Sequence, residues 1–321
     1  MDRRTLLLTA IAAGMLAPVG THAALPSHAK RLVVLLFDRP ELWAFFPPEL
    51  HAELAALGWI ERRNLSIEWR YANGDAVLLR THIAEIVASA PDAIVTRGTP
   101  ITRALQLATK TIPIVTGVGD PIGSGFAKTY AQPGGNITGV SWAIVEMEAK
   151  NLELLSLLVP KLALLHVVTP PSLASSPLPM EGTARSAKLL TRRAVVTTAD
   201  QLRTVLTTNN RAGEVAAMVF ALPTIDPETV ARVALEERMP TMFQDRRYVD
   251  AGGLASYRLN WTNQTQRTAA QIDKIFRGEK PAQLPFELPT VSEFVLNRKT
   301  ARSLGIDLPQ SLLLRADGIV E

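Results

Sequence analysis

The stretch from Ile112 to Ser141, IPIVTGVGDPIGSGFAKTYAQPGGNITGVS, constrains the fold more than any other. Ile112, Ile114 and Val115 form the apolar run of a strand buried on both faces. Asp120-Pro121 then offers a good N-cap and a residue suited to the first helical position, so a short helix is expected there. Gln132-Pro133-Gly134-Gly135-Asn136 is strong turn chemistry, and Ile137 to Val140 starts another strand. Strand, loop, helix, turn and strand in this order belong to an open α/β sheet. In such a sheet, ligands sit where a strand's carboxyl end meets the next helix's amino end.

The rest of the chain repeats the pattern. Strands are expected at Arg31 to Phe37, Leu65 to Arg70, Asp92 to Thr96 and Ile112 to Val115. Between them lie helices opened by Pro47-Pro48, by Asn73-Gly74-Asp75, and by Thr99 as cap with Pro100 at the first position. A regular βαβα run implies a parallel sheet with right-handed crossovers. After Ser141 a second set begins. It has helices at Met147 to Val159, 181–192, Gln201 to Thr207 and Pro227 to Arg238. Its strands are Leu162 to Val168, Ala194 to Thr198, Val215 to Leu222 and Pro240 to Phe243, with a Ser- and Pro-rich loop over 172–180. One more strand (Leu254 to Tyr257), a long helix (Thr262 to Gly278), a short strand (Glu293 to Leu296) and a helix (Lys299 to Leu304) follow. Two βα sets of similar size followed by extra elements indicate two lobes with the chain crossing back. A cleft between lobes is a common place for a ligand.

Composition narrows the function. The 321 residues include no cysteine, which removes disulfides, thiolate metal sites and cysteine nucleophiles. Arg3-Arg4, the apolar run Leu6 to Ala17 and the small residues of Thr21-His22-Ala23 read as a signal peptide over 1–23, cleaved after Ala23. The arginine pair resembles a twin-arginine signal, and an ordinary secretory signal explains it as well. The run is shorter than the roughly 20 residues that span a bilayer. The expected location is therefore the periplasm. The net charge of +4 falls by one to +3 without Arg3, Arg4 and Asp2, and no dense Lys/Arg run appears, so nucleic acid is not an expected partner.

No HExxH, GxSxG, Walker or CxxC motif is present, and no histidine has metal-ligand spacing. No cofactor, metal or catalytic residue is expected. Gly117-Val118-Gly119 with Gly123 and Gly125 is glycine-rich, but Asp120-Pro121 interrupts dinucleotide spacing. The better candidates are strand ends. Phe37 and Asp38 follow the first strand, Thr99 follows the third and Asp120 the fourth. A helix amino terminus there suits a ligand carboxylate, and Asp120 suits an ammonium. The bland alternative is that Thr99 and Asp120 are only caps. Trp142, Thr169, Pro223 and Tyr257 hold the corresponding positions elsewhere. An aromatic there stacks on a flat ligand, or simply packs the junction between lobes.

These residues resemble a known family. LGWIERRNLSIEWRYANGD (57–75), TRGTP (96–100), IPIVTGVGDPIGSG (112–125), PGGNITGVS (133–141), AGGLASY (251–257), FRGEKPAQLP (276–285) and NRKTARSLGIDLPQSLLLRAD (297–317) are similar, in the same order, to ABC-transporter substrate-binding proteins related to the tryptophan-binding component TrpX. The resemblance covers nearly the whole mature chain. It implies a type I periplasmic-binding-protein fold: α/β, with two Rossmann-like lobes of parallel sheet, a three-crossing hinge and a ligand in the cleft. It implies an N-terminal lobe of 31–141 plus 253–283, a C-terminal lobe of 142–252, and a segment 284–321 that crosses the hinge without an assigned lobe. It also implies an ABC permease and ATPase as membrane partners, a monomeric receptor and a small-molecule ligand. Some relatives take aromatic amino acids. Two departures stand out. The family's usual Glu-Gly-Arg-Asn is here Glu61-Arg62-Arg63-Asn64, and its more typical Asn-Pro after the second lobe's first strand is Thr169-Pro170. Two other readings use the same cleft: an exported sensor subunit presenting to a membrane receptor, and an exported α/β enzyme.

Overall fold

The structure is a computed structural model describing residues 29–174, 178–207, 213–288 and 290–321. The signal peptide expected over 1–23 and part of the loop expected over 172–180 lie outside the described residues.

The first lobe takes its order from β1 (Lys30–Leu36), α1 (Phe46–Ala56), β2 (Leu65–Tyr71), α2 (Ala76–Ser89), β3 (Ala93–Arg97), α3 (Thr99–Ala108), β4 (Ile114–Val118) and β5 (Ile137–Ser141). Their sheet is wholly parallel in the order β2-β1-β3-β4-β5. β3, β4 and β5 are buried at every residue, as apolar strands covered by helices on both faces must be. The Asp75 carboxylate caps α2 by accepting from the N–H groups of Val77 and Leu78.

The second lobe begins with α4 (Ile144–Leu158), β6 (Leu164–Thr169), α5 (Pro179–Ser186), β7 (Leu190–Val195), α6 (Ala199–Thr207) and β8 (Val215–Val219). It continues with α7 (Pro227–Glu236), β9 (Thr241–Phe243), α8 (Arg246–Asp250) and β10 (Ala255–Leu259). α9 (Trp261–Phe276) then returns to the first lobe, where Ala269, Ile272, Ile275 and Phe276 pack with Leu50 and Leu54 of α1. β11 (Ser292–Asn297), α10 (Arg298–Leu304), α11 (Gln310–Leu313) and β12 (Gly318–Val320) close the second lobe. Its sheet order is β12-β11-β10-β9-β8-β6-β7, with β11 antiparallel to β10 and the other pairs parallel.

The chain passes between lobes three times: after Ser141, at Asn260, and between Glu287 and Ser292. Asn260 caps α9 by accepting from the Asn263 N–H, so one residue both ends a strand and starts a helix. Ala143, at the first crossing, is left-handed with φ 45°, a conformation costly for a residue with a Cβ.

Several expectations need correction. The expected first-lobe assignment of 253–283 fails for the strand at 254–257, because β10 pairs with β9 and β11 in the second sheet. Only α9 and the segment to Glu287 join the first lobe. Gly253 is the physical reason: a Cβ there would lie 2.4 Å from the Phe243 ring and 2.7 Å from the Tyr248 carbonyl. Its bare backbone brings the returning chain onto β9. The segment after 291 belongs to the second sheet through β11 and β12. No helix starts at Asp120. Its Oδ1 accepts from Ile122 and Gly123 N–H at 3.1 and 2.8 Å, and Gly125 at φ 66° ends the turn. Gly98, at φ 100°, is the cap of α3, which moves Thr99 to the first position and Pro100 to the second. In the second lobe α5 stops at Ser186, Lys188 turns left-handed, and β7 starts four residues before the expected Ala194. The departure at Arg62 also gains a cost: its φ is 64°, a region that glycine occupies freely.

Glu148 of α4 is 3% exposed, and its Oε2 accepts the Met180 N–H at 2.7 Å. Burial pushes the carboxyl up from 4.5 to about 7; the Met180 bond opposes this, Glu181 adds to it and Arg193 opposes it. A carboxyl raised in the fold holds its proton more tightly folded than unfolded. Its contribution is greatest below pH 4.5, is lost as pH rises to about 7, and is level above that. Glu148→Gln is expected to flatten this slope, worth on the order of 2–3 kcal/mol. Urea midpoints of both proteins at pH 5 and pH 8 check it; parallel pH profiles would refute it.

Candidate functional site

The chain leaves β5 and β10 at their carboxyl ends, so the carboxyl edges of both sheets abut the crossings. The first-lobe candidates gather on one such edge. Phe37 and Asp38 follow β1, Thr99 opens α3, Asp120 lies two residues beyond β4, and Trp142 follows β5. Asp38 accepts from the Trp43 indole N–H at 3.2 Å, which fixes the loop between β1 and α1. Phe37 is half-buried against the core under α2 and α3. The Trp142 backbone N–H donates to the Val118 carbonyl at 2.7 Å, and its indole lies on Gly117, where a Cβ would come within 2.8 Å of Nε1. Gly117, within β4, thus makes room for an indole rather than for a phosphate.

The second-lobe candidates are less convergent. Thr169 ends β6 but is fully buried, and its hydroxyl donates to the Ala194 carbonyl of β7 at 3.4 Å. Pro223 is exposed beyond β8. Tyr257 lies in β10, half-buried, and its hydroxyl bonds the Ser292 hydroxyl at 2.9 Å. It lines a cavity of about 250 Å³ with Lys150, Ser292, Phe294 and Arg315, all of the second lobe. A wider depression of about 600 Å³ sits at the opposite, amino end of the first sheet, near Lys30, Asp92 and Lys110, and holds none of the candidates.

At the centre of the first-lobe edge lies a residue outside the sequence-predicted candidates. Arg97 is the last residue of β3 and is 5% exposed. Its guanidinium carbon lies 4.0 Å from the Phe46 ring centre, 5.5 Å from Trp43 and 5.7 Å from Trp261. Trp261 in turn meets Trp43 at 6.2 Å, Phe45 at 6.1 Å and Trp142 at 6.1 Å between centres. Burial among these rings pushes Arg97 down to about 9, against the pull of the Glu49 carboxylate. Glu49 itself accepts from the hydroxyls of Thr262 and Thr265 at 3.2 and 3.0 Å. Arg97 Nε and Nη2 and Trp142 Nε1 are buried without a hydrogen-bond partner. The usable signals were a charge ending the apolar strand AIVTR and the dense aromatics of Trp43, Phe45 and Phe46. What hid them was Trp261, which reaches Trp43 from more than 200 positions along the chain.

Among the described residues no group of three or more His, Asp or Glu is placed to hold a metal, and no helix is long and apolar enough to cross a membrane.

Comparison with known proteins agrees with this architecture. A tyrosine-binding protein of Clostridioides difficile is 23% identical over 255 residues, covering 77% of this chain and 72% of that one. The solved structure of a conserved domain protein from Vibrio cholerae superposes with a TM-score of 0.77 at 26% identity, covering 91% of this chain and 99% of the other. An ABC domain from Streptococcus pneumoniae in complex with L-Trp superposes with a TM-score of 0.75 at 26% identity, covering 91% and 100%. The two parallel-sheet lobes match the type I periplasmic-binding-protein fold of these neighbours. The family model described as "ABC transporter substrate binding protein" matches residues 50–320. With two lobes, three crossings and that match over most of its length, the chain belongs to the ABC transporter substrate-binding protein family, whose members capture a small molecule for import.

Proposed function

We propose that the protein is a non-catalytic, monomeric periplasmic receptor that captures an amino acid, with an aromatic one favoured, by hinge closure, and delivers it to an ABC permease and ATPase. The observation that carries this reading is the aromatic wall of Trp43, Phe45, Trp142 and Trp261 at the crossings between the lobes. Flat rings on the edge of a site bind flat ligands at low entropic cost. A ligand touching both lobes adds contacts present only in the closed form and shifts the population toward it. Phe37, Thr99, Asp120 and Trp142 supply the first-lobe contacts and Pro223 the rim of the second. Asp38 acts by holding Trp43. Thr169 and Tyr257 serve the second lobe's own packing. The relatives named for tyrosine and for L-Trp support the ligand class.

Melting of the mature protein against amino acids, purines, pyrimidines, sugars and small carboxylates tests the reading. A ligand at a hundred times its dissociation constant is expected to add about 2.7 kcal/mol of stability. Tryptophan fluorescence should shift with it. A ligand that is consumed during the titration would overturn the non-catalytic reading. Saturating binding of sugars alone would overturn the amino-acid reading.

A further inference from the structure

We propose that the ligand is a small monocarboxylate with a flat body, whose carboxylate is held by Arg97 and whose ammonium, if it has one, is not required. This deepens the receptor reading above and rests on it. Arg97 is 95% removed from solvent, yet Nε and Nη2 donate to nothing, and among the described residues it forms no ion pair. An unpaired buried charge is strongly unfavourable, and natural folds keep one where something compensates it. The rings of Phe46, Trp43 and Trp261 surround the guanidinium at 4.0, 5.5 and 5.7 Å, a cation–π setting that leaves Nε and Nη2 unsatisfied. The nearest internal candidate, Glu49, is committed to Thr262 and Thr265. The missing partner is therefore an external anion.

Three features narrow that anion. A planar guanidinium edge matches a carboxylate through two parallel N–H bonds. The next residue, Gly98, is the cap of the ten-residue α3 and brings no side-chain hydrogen bond, so the helix amino terminus and the positive end of its dipole begin two residues from Arg97. The unpartnered Trp142 indole N–H belongs to the same aromatic cluster through Trp261, a second buried donor there without a partner. A dianion fits poorly, because the site holds one cation with the Glu49 carboxylate close enough to act on it. Recognition of an ammonium has no comparable feature: Asp120 is exposed, and its Oδ1 serves its own turn.

Calorimetric titration of the mature protein with L-tryptophan, L-tyrosine, indole-3-propionate, tryptamine and the neutral sugars, purines and pyrimidines of the panel above tests this, with melting and small-angle scattering alongside. The three carboxylates are expected to bind and tryptamine to bind at least 100-fold more weakly. Arg97→Met is expected to lose at least 100-fold in affinity for each carboxylate, while its ligand-free melting point stays level or rises, because an uncompensated charge is removed. Arg97→Lys should fall between, since a point charge lacks the two-pronged edge. Tryptamine binding as well as L-tryptophan, or Arg97→Met retaining affinity, would overturn the proposal. So would a lowered melting point of ligand-free Arg97→Met, which marks a structural arginine. Binding and compaction with a neutral sugar but none of the carboxylates would sink this inference and leave the receptor reading intact. Silence toward every class of small molecule, with no compaction, would remove both.

Discussion

Gly139→Ala is expected to abolish folding of the first lobe. Gly139 sits in β5 opposite Thr116 of β4, with φ 150°. A Cβ there would lie 1.9 Å from the Thr116 carbonyl oxygen and 2.7 Å from its nitrogen, both backbone atoms. A side chain could rotate away; a paired strand cannot without losing its ladder. Retreat is blocked on the other side as well, because the Gly139 carbonyl accepts from Glu287 N–H at 2.9 Å and Val140 bridges to Glu287. The substitution therefore forces apart either β4 and β5 or the third crossing. The expected loss is about 4–5 kcal/mol or more, comparable with the whole stability of an ordinary domain. Circular dichroism during urea unfolding is the measurement. A midpoint within experimental error of the parent protein would mean that the β4–β5 spacing adapts, contrary to this account.

Phe46→Ala should cost about 3–5 kcal/mol. Phe46 is fully buried at the start of α1, within the cluster of Leu32, Val34, Leu50 and Val95. Its ring meets Trp69 edge-on at 5.8 Å and supports the Arg97 guanidinium at 4.0 Å. Truncation removes the transfer free energy of the ring and leaves a cavity beside a buried cation. Water entering that cavity would rehydrate Arg97 and move its proton affinity back toward the ordinary arginine range. The variant should therefore melt well below the parent and bind ligand more weakly even at temperatures where it is folded. Thermal melting with and without ligand separates the two effects. A small melting shift would mean that the surrounding rings collapse to fill the space.

Much of the fold was legible in the chain because its signals are local. Apolar runs such as Ile114 and Val115 mark strands covered on both faces, and Asp75 announces a helix start through hydrogen bonds within three residues. Such features need no knowledge of a distant partner. Errors arose where a local signal had two solutions. Asp120-Pro121 is helix-start chemistry, but glycines three and five residues after Asp120 allowed a closed turn instead. The strand at 255–259 reads the same whichever sheet receives it.

The candidate site shows the same division. The strand-end rule placed Phe37, Thr99, Asp120 and Trp142 on one edge of the first sheet, and Trp142 stands in the aromatic cluster there. It missed Arg97, Trp43 and Trp261, whose significance depends on meeting one another. Thr169 ends its strand as expected, and its hydroxyl turns to the Ala194 carbonyl of the neighbouring strand.

By itself, the order of residues determined the two βα sets, the strand ends along the sheet edges and the family likeness, because hydrophobic periodicity and turn chemistry act over a few residues. Tertiary structure alone decided which sheet β10 joins, how the chain crosses three times, and that a buried arginine of β3 lies unpaired among rings from α1, from α9 and from Trp43 just before α1. Those outcomes depend on packing between segments more than 200 residues apart, where the energy belongs to the contact and to neither segment alone.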